Sequence, residues 1–130
     1  MIDIESQVYT PIAEKMREIG VDVSGVYKNK PPKLPHVSIV ESDNRSDDNM
    51  DSGDSERFSV VMYEVNVYSN HATQSKSECK RIMSIVSNMM YKRNFRRLSC
   101  VPVPNMEDAS IYRMTARFRA KTDGQYIYRR

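Results

Sequence analysis

The stretch Arg57-Phe58-Ser59-Val60-Val61-Met62-Tyr63-Glu64-Val65-Asn66-Val67-Tyr68 decides the fold. Read as extended chain, it shows Val61, Tyr63, Val65 and Val67 on one face. Phe58, Val60, Met62 and Tyr68 lie on the other, with Glu64 and Asn66 between them. Side chains of a strand alternate between faces. A strand that is apolar on both is central in a sheet and covered by helices on at least one side.

Downstream, Ser75 and Glu78 stand three residues apart as a capping box. Cys79, Ile82, Met83, Val86, Met89 and Met90 follow at helical spacing, and Asn94 can end that helix. Residues 95–103 read as a strand closed by Pro102 and Pro104. Residues 110–121 read as the last long strand. Tyr112, Met114, Ala116, Phe118 and Ala120 face one way, and Ile111, Arg113, Thr115, Arg117, Arg119 and Lys121 the other. Gly124 allows a turn into Tyr126-Ile127-Tyr128.

Upstream, Ile4, Val8, Ile12, Met16 and Ile19 draw one helical stripe. Pro11 either kinks this helix or starts it, with Thr10 as N-cap; Gly20 is its stop. Residues 21–27 read as a short strand. Pro31, Pro32 and Pro35 mark an extended loop, and Val37, Ile39 and Glu41 alternate with Ser38 and Val40 in a second strand. The polar segment 42–55 predicts a flexible acidic loop, placed at 43–55. The order α-β-β-β-α-β-β makes residues 1–130 one α+β domain, a mostly antiparallel β-sheet packed by two helices.

The formal net charge of +3 conceals an asymmetry. Seven acids (Glu41, Asp43, Asp47, Asp48, Asp51, Asp54, Glu56) against Arg45 and Arg57 give residues 41–57 a charge of −5, which leaves +8 for the rest. A basic body with one acidic loop suits nucleic acid or a second copy of itself. No apolar run is long enough to span a membrane, and no signal peptide is visible at the N-terminus. The separated Cys79 and Cys100 suggest reduced thiols in a cytosolic setting.

No catalytic constellation stands out. Glycines at 20, 25, 53 and 124 build no phosphate loop, and His36 and His71 read as isolated turn or surface residues. His36, His71, Cys79 and Cys100 lack zinc spacing, and the cysteines read as small buried hydrophobes. Asp47, Asn49 and Asp51 match the first ligands of a calcium loop. Ser52 and Phe58 then stand where glycine and glutamate belong, so the segment reads as a solvated loop. The methionines of the second helix read as core filler. The basic face of Arg113, Arg117, Arg119 and Lys121 has no interleaved aromatic on its strand. Solvated face, protein contact and nucleic-acid contact all remain open for it.

The strand at 57–70 resembles the central strand of bacteriophage tail terminator (tail completion) proteins. The lysine-bearing helix from Lys76 to Met90 follows it as in that family, as do Phe95-Arg96-Arg97, the Pro102-Val103-Pro104-Asn105 turn and Asp108-Ala109-Ser110-Ile111-Tyr112-Arg113. Upstream, Pro35-His36-Val37-Ser38-Ile39-Val40-Glu41-Ser42-Asp43-Asn44 is similar to the family's proline-containing strand with its acidic end. Together these pieces cover nearly the whole chain. Gln74-Ser75-Lys76 lacks the glycine that often precedes the family's helix lysine, and the acidic insert is longer than the family's.

The resemblance implies a non-enzymatic structural subunit with no cofactor. It would form a homo-oligomeric ring, usually a hexamer, on the head-proximal end of the tail tube. There it would stop tube polymerisation and mediate head-tail joining. Expected partners are its own copies, the tail tube protein and the head connector or stopper protein. DNA would pass through without sequence-specific binding, and no membrane is involved. The expected location is the virion tail or neck, after assembly in the host cytoplasm. Arg113, Arg117, Arg119 and Lys121 are the candidate subunit or tube interface, and Asp43, Asp47, Asp48, Asp51 and Asp54 the candidate acidic interface loop. A nucleic-acid-binding α+β module, or a head-connector or neck protein, is the alternative.

Overall fold

The computed structural model describes residues 1–28, 31–46, 58–104 and 108–128. The chain runs α1 (Glu5–Glu18), β1 (Asp22–Ser24), β2 (His36–Ser46), β3 (Ser59–Ser69), α2 (Ser75–Lys92), β4 (Arg96–Pro102), β5 (Tyr112–Thr122) and β6 (Ile127–Tyr128). This is the expected α+β fold. The strands line up β1-β2-β3-β5-β4, with β6 paired to the end of β5. Every pairing is antiparallel except β1 with β2.

β3 lies at the centre, paired along all 11 of its residues with β5, Val65 opposite Ala116 and Tyr63 opposite Phe118. Its Val61, Tyr63, Val65 and Val67 join Met114, Ala116, Phe118 and Ala120 of β5 in one buried layer. Ile4 at the N-cap of α1, Val8, Ile12 and Met16 of α1, and Cys79, Ile82, Met83, Val86 and Met90 of α2, close that layer from above. Tyr63 and Phe95 meet edge to face, with ring centroids 5.6 Å apart. Both helices therefore lie on one side of the sheet, and the polar side chains of β3 and β5 turn to the other.

Of the two readings of Pro11, the one that keeps it inside the helix holds: α1 is continuous through it, and Thr10 is an interior residue rather than an N-cap. Proline leaves the Gln7 carbonyl without its helical donor, but the stripe from Ile4 to Met16 is buried as one face, and that burial holds the helix across the defect. Asp3 Oδ1 accepts from the Glu5 amide at 3.0 Å at the start of α1. The capping box at Ser75 and Glu78 does not form. Gln74 is the N-cap without a side-chain bond, and Glu78 instead accepts the Ser69 hydroxyl at 2.5 Å. The acidic segment begins later than expected, because residues 42–46 belong to β2. Asn44 and Arg45 pair with Val61 and Val60 of β3. The remainder of the proposed loop at 43–55, including Asp47, Asp48, Asp51 and Asp54, lies outside the described residues, as does the calcium-loop reading.

The helix stops fall where expected. Gly20 (φ 80°) follows α1, and Asn94 (φ 70°) follows α2. Both hold the left-handed conformation that glycine and asparagine tolerate best. No described helix is long and apolar enough to cross a membrane.

Phe118 is buried in the core at the β3–β5 junction, on the side of the sheet that α2 covers. Phe118→Ala should lower the unfolding free energy by about 3–5 kcal/mol. Urea unfolding followed by far-UV circular dichroism measures this, and a change below about 1 kcal/mol would place the core elsewhere.

Candidate interface on the polar face of the sheet

The side of the sheet away from the helices is organised in rows by strand register. His36, Tyr68 and Arg113 form one row, and Ser38, Asn66 and Thr115 the next. Val40, Glu64 and Arg117 follow, then Asp43, Met62, Arg119 and Arg96, then Arg45, Val60 and Lys121. The four basic residues read from the sequence thus share a face, as expected, but their surroundings divide them.

Arg113 is tied into the fold. Its Nε donates to Asn66 Oδ1 at 2.9 Å and its Nη1 to the Tyr27 hydroxyl at 2.8 Å. Its guanidinium lies 5.0 Å from the Tyr27 ring centroid and 5.7 Å from that of Tyr68. Asn66, fully buried, also accepts the Thr115 hydroxyl at 2.6 Å. An amide oxygen with two donors in a buried site fixes both rows. Lys121 sits 4.9 Å from the Phe58 ring centroid. Aromatics do therefore flank the basic face. They come from β3, the residue just before it and the segment after β1, which the pattern of β5 alone could not reveal.

Arg117 and Arg119 differ from Arg113. Arg117 is 58% exposed and makes one ion pair, at 3.4 Å, with Glu64. An exposed pair of this kind is worth at most about 1 kcal/mol. Arg119 Nε is buried without a hydrogen-bond partner. The residue directly opposite it on β4 is Arg96, also cationic. Like charges facing across a ladder are unfavourable, and a buried guanidinium N–H without an acceptor costs about 1–3 kcal/mol. Among the described residues no carboxylate pairs with Arg96 or Arg119. Arg96 was not among the sequence-derived candidates. Its signal, adjacent arginines after a buried Phe95, acquires meaning only once β4 is paired with β5.

His36 is the clearest departure from the sequence reading. It is fully buried, not a turn residue. Its Nδ1 lies 2.7 Å from Asp22 Oδ2 and its Nε2 3.0 Å from Ser24 Oγ. Parallel pairing of Asp22 with His36 and of Ser24 with Ser38 creates this contact. The order carboxylate, imidazole, hydroxyl is that of a nucleophilic triad. Here the ring has no exposed surface and Ser24 Oγ is also 2.8 Å from the Val26 carbonyl. The group acts as a clamp that fastens the three-residue β1 to β2.

The other candidates are quieter. Cys79 is buried, its thiol facing the Val67 and Tyr112 carbonyls, and burial pushes its pKa up to about 12. Such a thiol packs as a small apolar group. Among the described residues, no three His, Cys, Asp or Glu side chains are placed to hold a metal ion. A groove of about 650 Å³ at the end of the sheet is lined by Ser75, Pro102, Pro104, Ile111 and Arg113. Among the described residues no carboxylate, histidine or cysteine lines it. No protein-family model matches the chain, and no curated protein matches it.

Burial holds the His36 pKa below its ordinary 6.5; Asp22 opposes this and Lys28 adds to it. The unfolded chain thus takes up a proton near pH 6.5 that the folded chain resists. Stability is therefore lost as pH falls from about 7.5 through 6.5 toward the lower folded value. The urea midpoint should drop between pH 7.5 and 5.5, and His36→Gln should flatten that dependence. An unchanged slope in the variant would remove His36 as its source.

Proposed function

We propose that this chain is a structural virion subunit. Copies of it close into a ring, of hexameric type, on the head-proximal end of a phage tail tube. The ring stops tube polymerisation and presents the surface that the head connector joins. The observation that carries this reading is the basic sheet face, where Arg119 and Arg96 oppose each other without a described carboxylate and Arg117 stands exposed beside them. A face of that kind is stabilised by an anionic partner. The α+β order agrees with what the resemblance to tail terminators implies. The proposed partners are further copies of the chain, the tube protein and the connector, with DNA passing through unread. The proposal includes no cofactor and no catalysis.

The same opposed guanidinium groups favour a second reading, a nucleic-acid module, because arginine matches phosphate as well as carboxylate. Arg117→Glu separates the two. The change places a carboxylate beside Glu64 on a largely exposed site, so it should cost about 1 kcal/mol or less in stability. At an interface repeated around a ring, each copy would bring like charges together at several kcal/mol. Complementation of tail assembly should then yield over-long tubes or unjoined heads under the electron microscope. Tubes of normal length that join heads would count against the interface. Loss of salt-dependent DNA binding with intact tails would support the nucleic-acid reading instead.

A further inference from the structure

Two edges of the sheet lack a neighbour among the described strands. β4 ends the strand order, and its outer side is unpaired. β1 pairs only with His36, Val37 and Ser38 of the 11-residue β2, so residues 39–46 have an outer side that no described strand fills. The open stretch of β2 is close in length to the 7-residue β4. Along β4, Leu98 and Val101 are 43% and 49% exposed. A sheet edge of this kind is a template for another strand.

The two edges match in three respects. The first is direction. β2, β3, β5 and β4 alternate, so β4 runs opposite to β2. Copies related by rotation about an axis along the strands would bring β4 of one beside β2 of the next as an antiparallel pair. The second is irregularity. The register of β2 shifts between Glu41 and Asp43, and that of β4 between Arg97 and Ser99. Such a bulge switches the faces that later side chains take. With Arg96 set opposite Asp43, Ser99 meets Val40 and Cys100 meets Ile39. Arg96, Asp43, Ser99 and Val40 then share the polar face, while Cys100 and Ile39 share the helix side. A bulge in only one strand would break that agreement. The third is charge. β4 presents Arg96 and Arg97, and the open part of β2 presents Glu41 and Asp43, with Arg45 falling beyond the start of β4.

We propose that β4 of one copy adds to residues 39–46 of β2 in a second copy. The antiparallel ladder continues the sheet head to tail and sets Asp43 beside Arg96. That carboxylate is the counter-charge that the opposed Arg96 and Arg119 lack among the described residues. This deepens the ring reading and rests on it.

Disulfide trapping tests the pairing in the full-length chain. In a Cys100→Ser background, Val40→Cys together with Ser99→Cys should give a ladder of covalent multimers under mild oxidation, while either single variant gives none. Separately, Arg96→Glu and Asp43→Arg should each weaken self-association about tenfold or more, as read by sedimentation or native mass. Combining both changes in one chain, or mixing the two single variants, should restore it. A wild type that forms rings while positions 40 and 99 fail to cross-link, or rings indifferent to Arg96→Glu, would overturn the edge pairing and leave the ring standing. A wild type that is monomeric at every concentration, with no cross-link, would overturn both.

Discussion

The register between β3 and β5 is the constraint on which the rest depends. With Val65 opposite Ala116, every odd-numbered residue of β3 from Val61 to Val67 lies beneath the helices with the even-numbered residues of β5. The period of a strand is two, so a slip by one residue would turn Arg117 and Arg119 under α1 and α2 and expose Ala116 and Phe118. Burying two guanidinium groups against leucine-sized side chains is far costlier than any alternative packing could offset. One apolar layer therefore fixes the position of the polar face, and the rows from His36 to Lys121 follow from it. The basic face is a consequence of the core.

Much of this was legible in the chain because the signals were periodic. The alternation at 57–68 and 110–121 and the stripe from Cys79 to Met90 gave β3, β5 and α2. Gly20 and Asn94 marked their helix ends through backbone conformation. The readings that failed were those in which a distant partner outbids a local preference. Of the two starts read for α1, the later one at Thr10 and Pro11 gives way to Glu5, because Ile4 and Val8 are buried with Ile12 and Met16. Ser75 and Glu78 form a good box, yet Ser69, nine residues upstream, takes the Glu78 carboxylate. Residues 42–46 look like loop by composition, but the backbone groups of Val60, Val61 and Met62 draw them into a ladder. The contacts around the candidate site were harder still. Nothing local brings Asp22 and Ser24 to His36, or Tyr27 to Arg113. Both contacts depend on how β1 and the chain after it cross the edge of the sheet.

Within the polar face, satisfied and unsatisfied charges are segregated. At the His36, Asn66 and Arg113 end the charged and amide groups are engaged: Asn66 accepts two donors, Arg113 spends two of its N–H groups, and His36 has both ring nitrogens engaged, while the neutral Ser38 and Tyr68 hydroxyls are buried there without a hydrogen-bond partner among the described residues. Truncating a member of such a network leaves a buried polar group unpaired and is destabilising for that reason alone. At the other end, Arg117 holds one weak exposed pair, and Arg119 and Arg96 hold none among the described residues. Substitutions there separate assembly from folding, because little of the fold rests on them. Arg113 shares their face and their charge, but it belongs to the scaffold.

The charge distribution also selects among ways in which the edges could meet. An isologous dimer through β4 would join two edges that each carry Arg96 and Arg97. One through β2 would join two that each carry Glu41 and Asp43, next to an insert of further acids. Both arrangements join edges of like sign, which supplies no charge attraction and repels wherever the charges come close. Only β4 against β2 joins opposite signs, and that contact uses two different patches. A contact between different patches cannot close on itself in a pair. It must go on adding copies until rotation brings the last edge to the first, or else extend as a filament. The separation of a basic edge from an acidic one within a single sheet is thus already a preference for a ring over a dimer. It needs no feature beyond the strand order and the signs of four side chains.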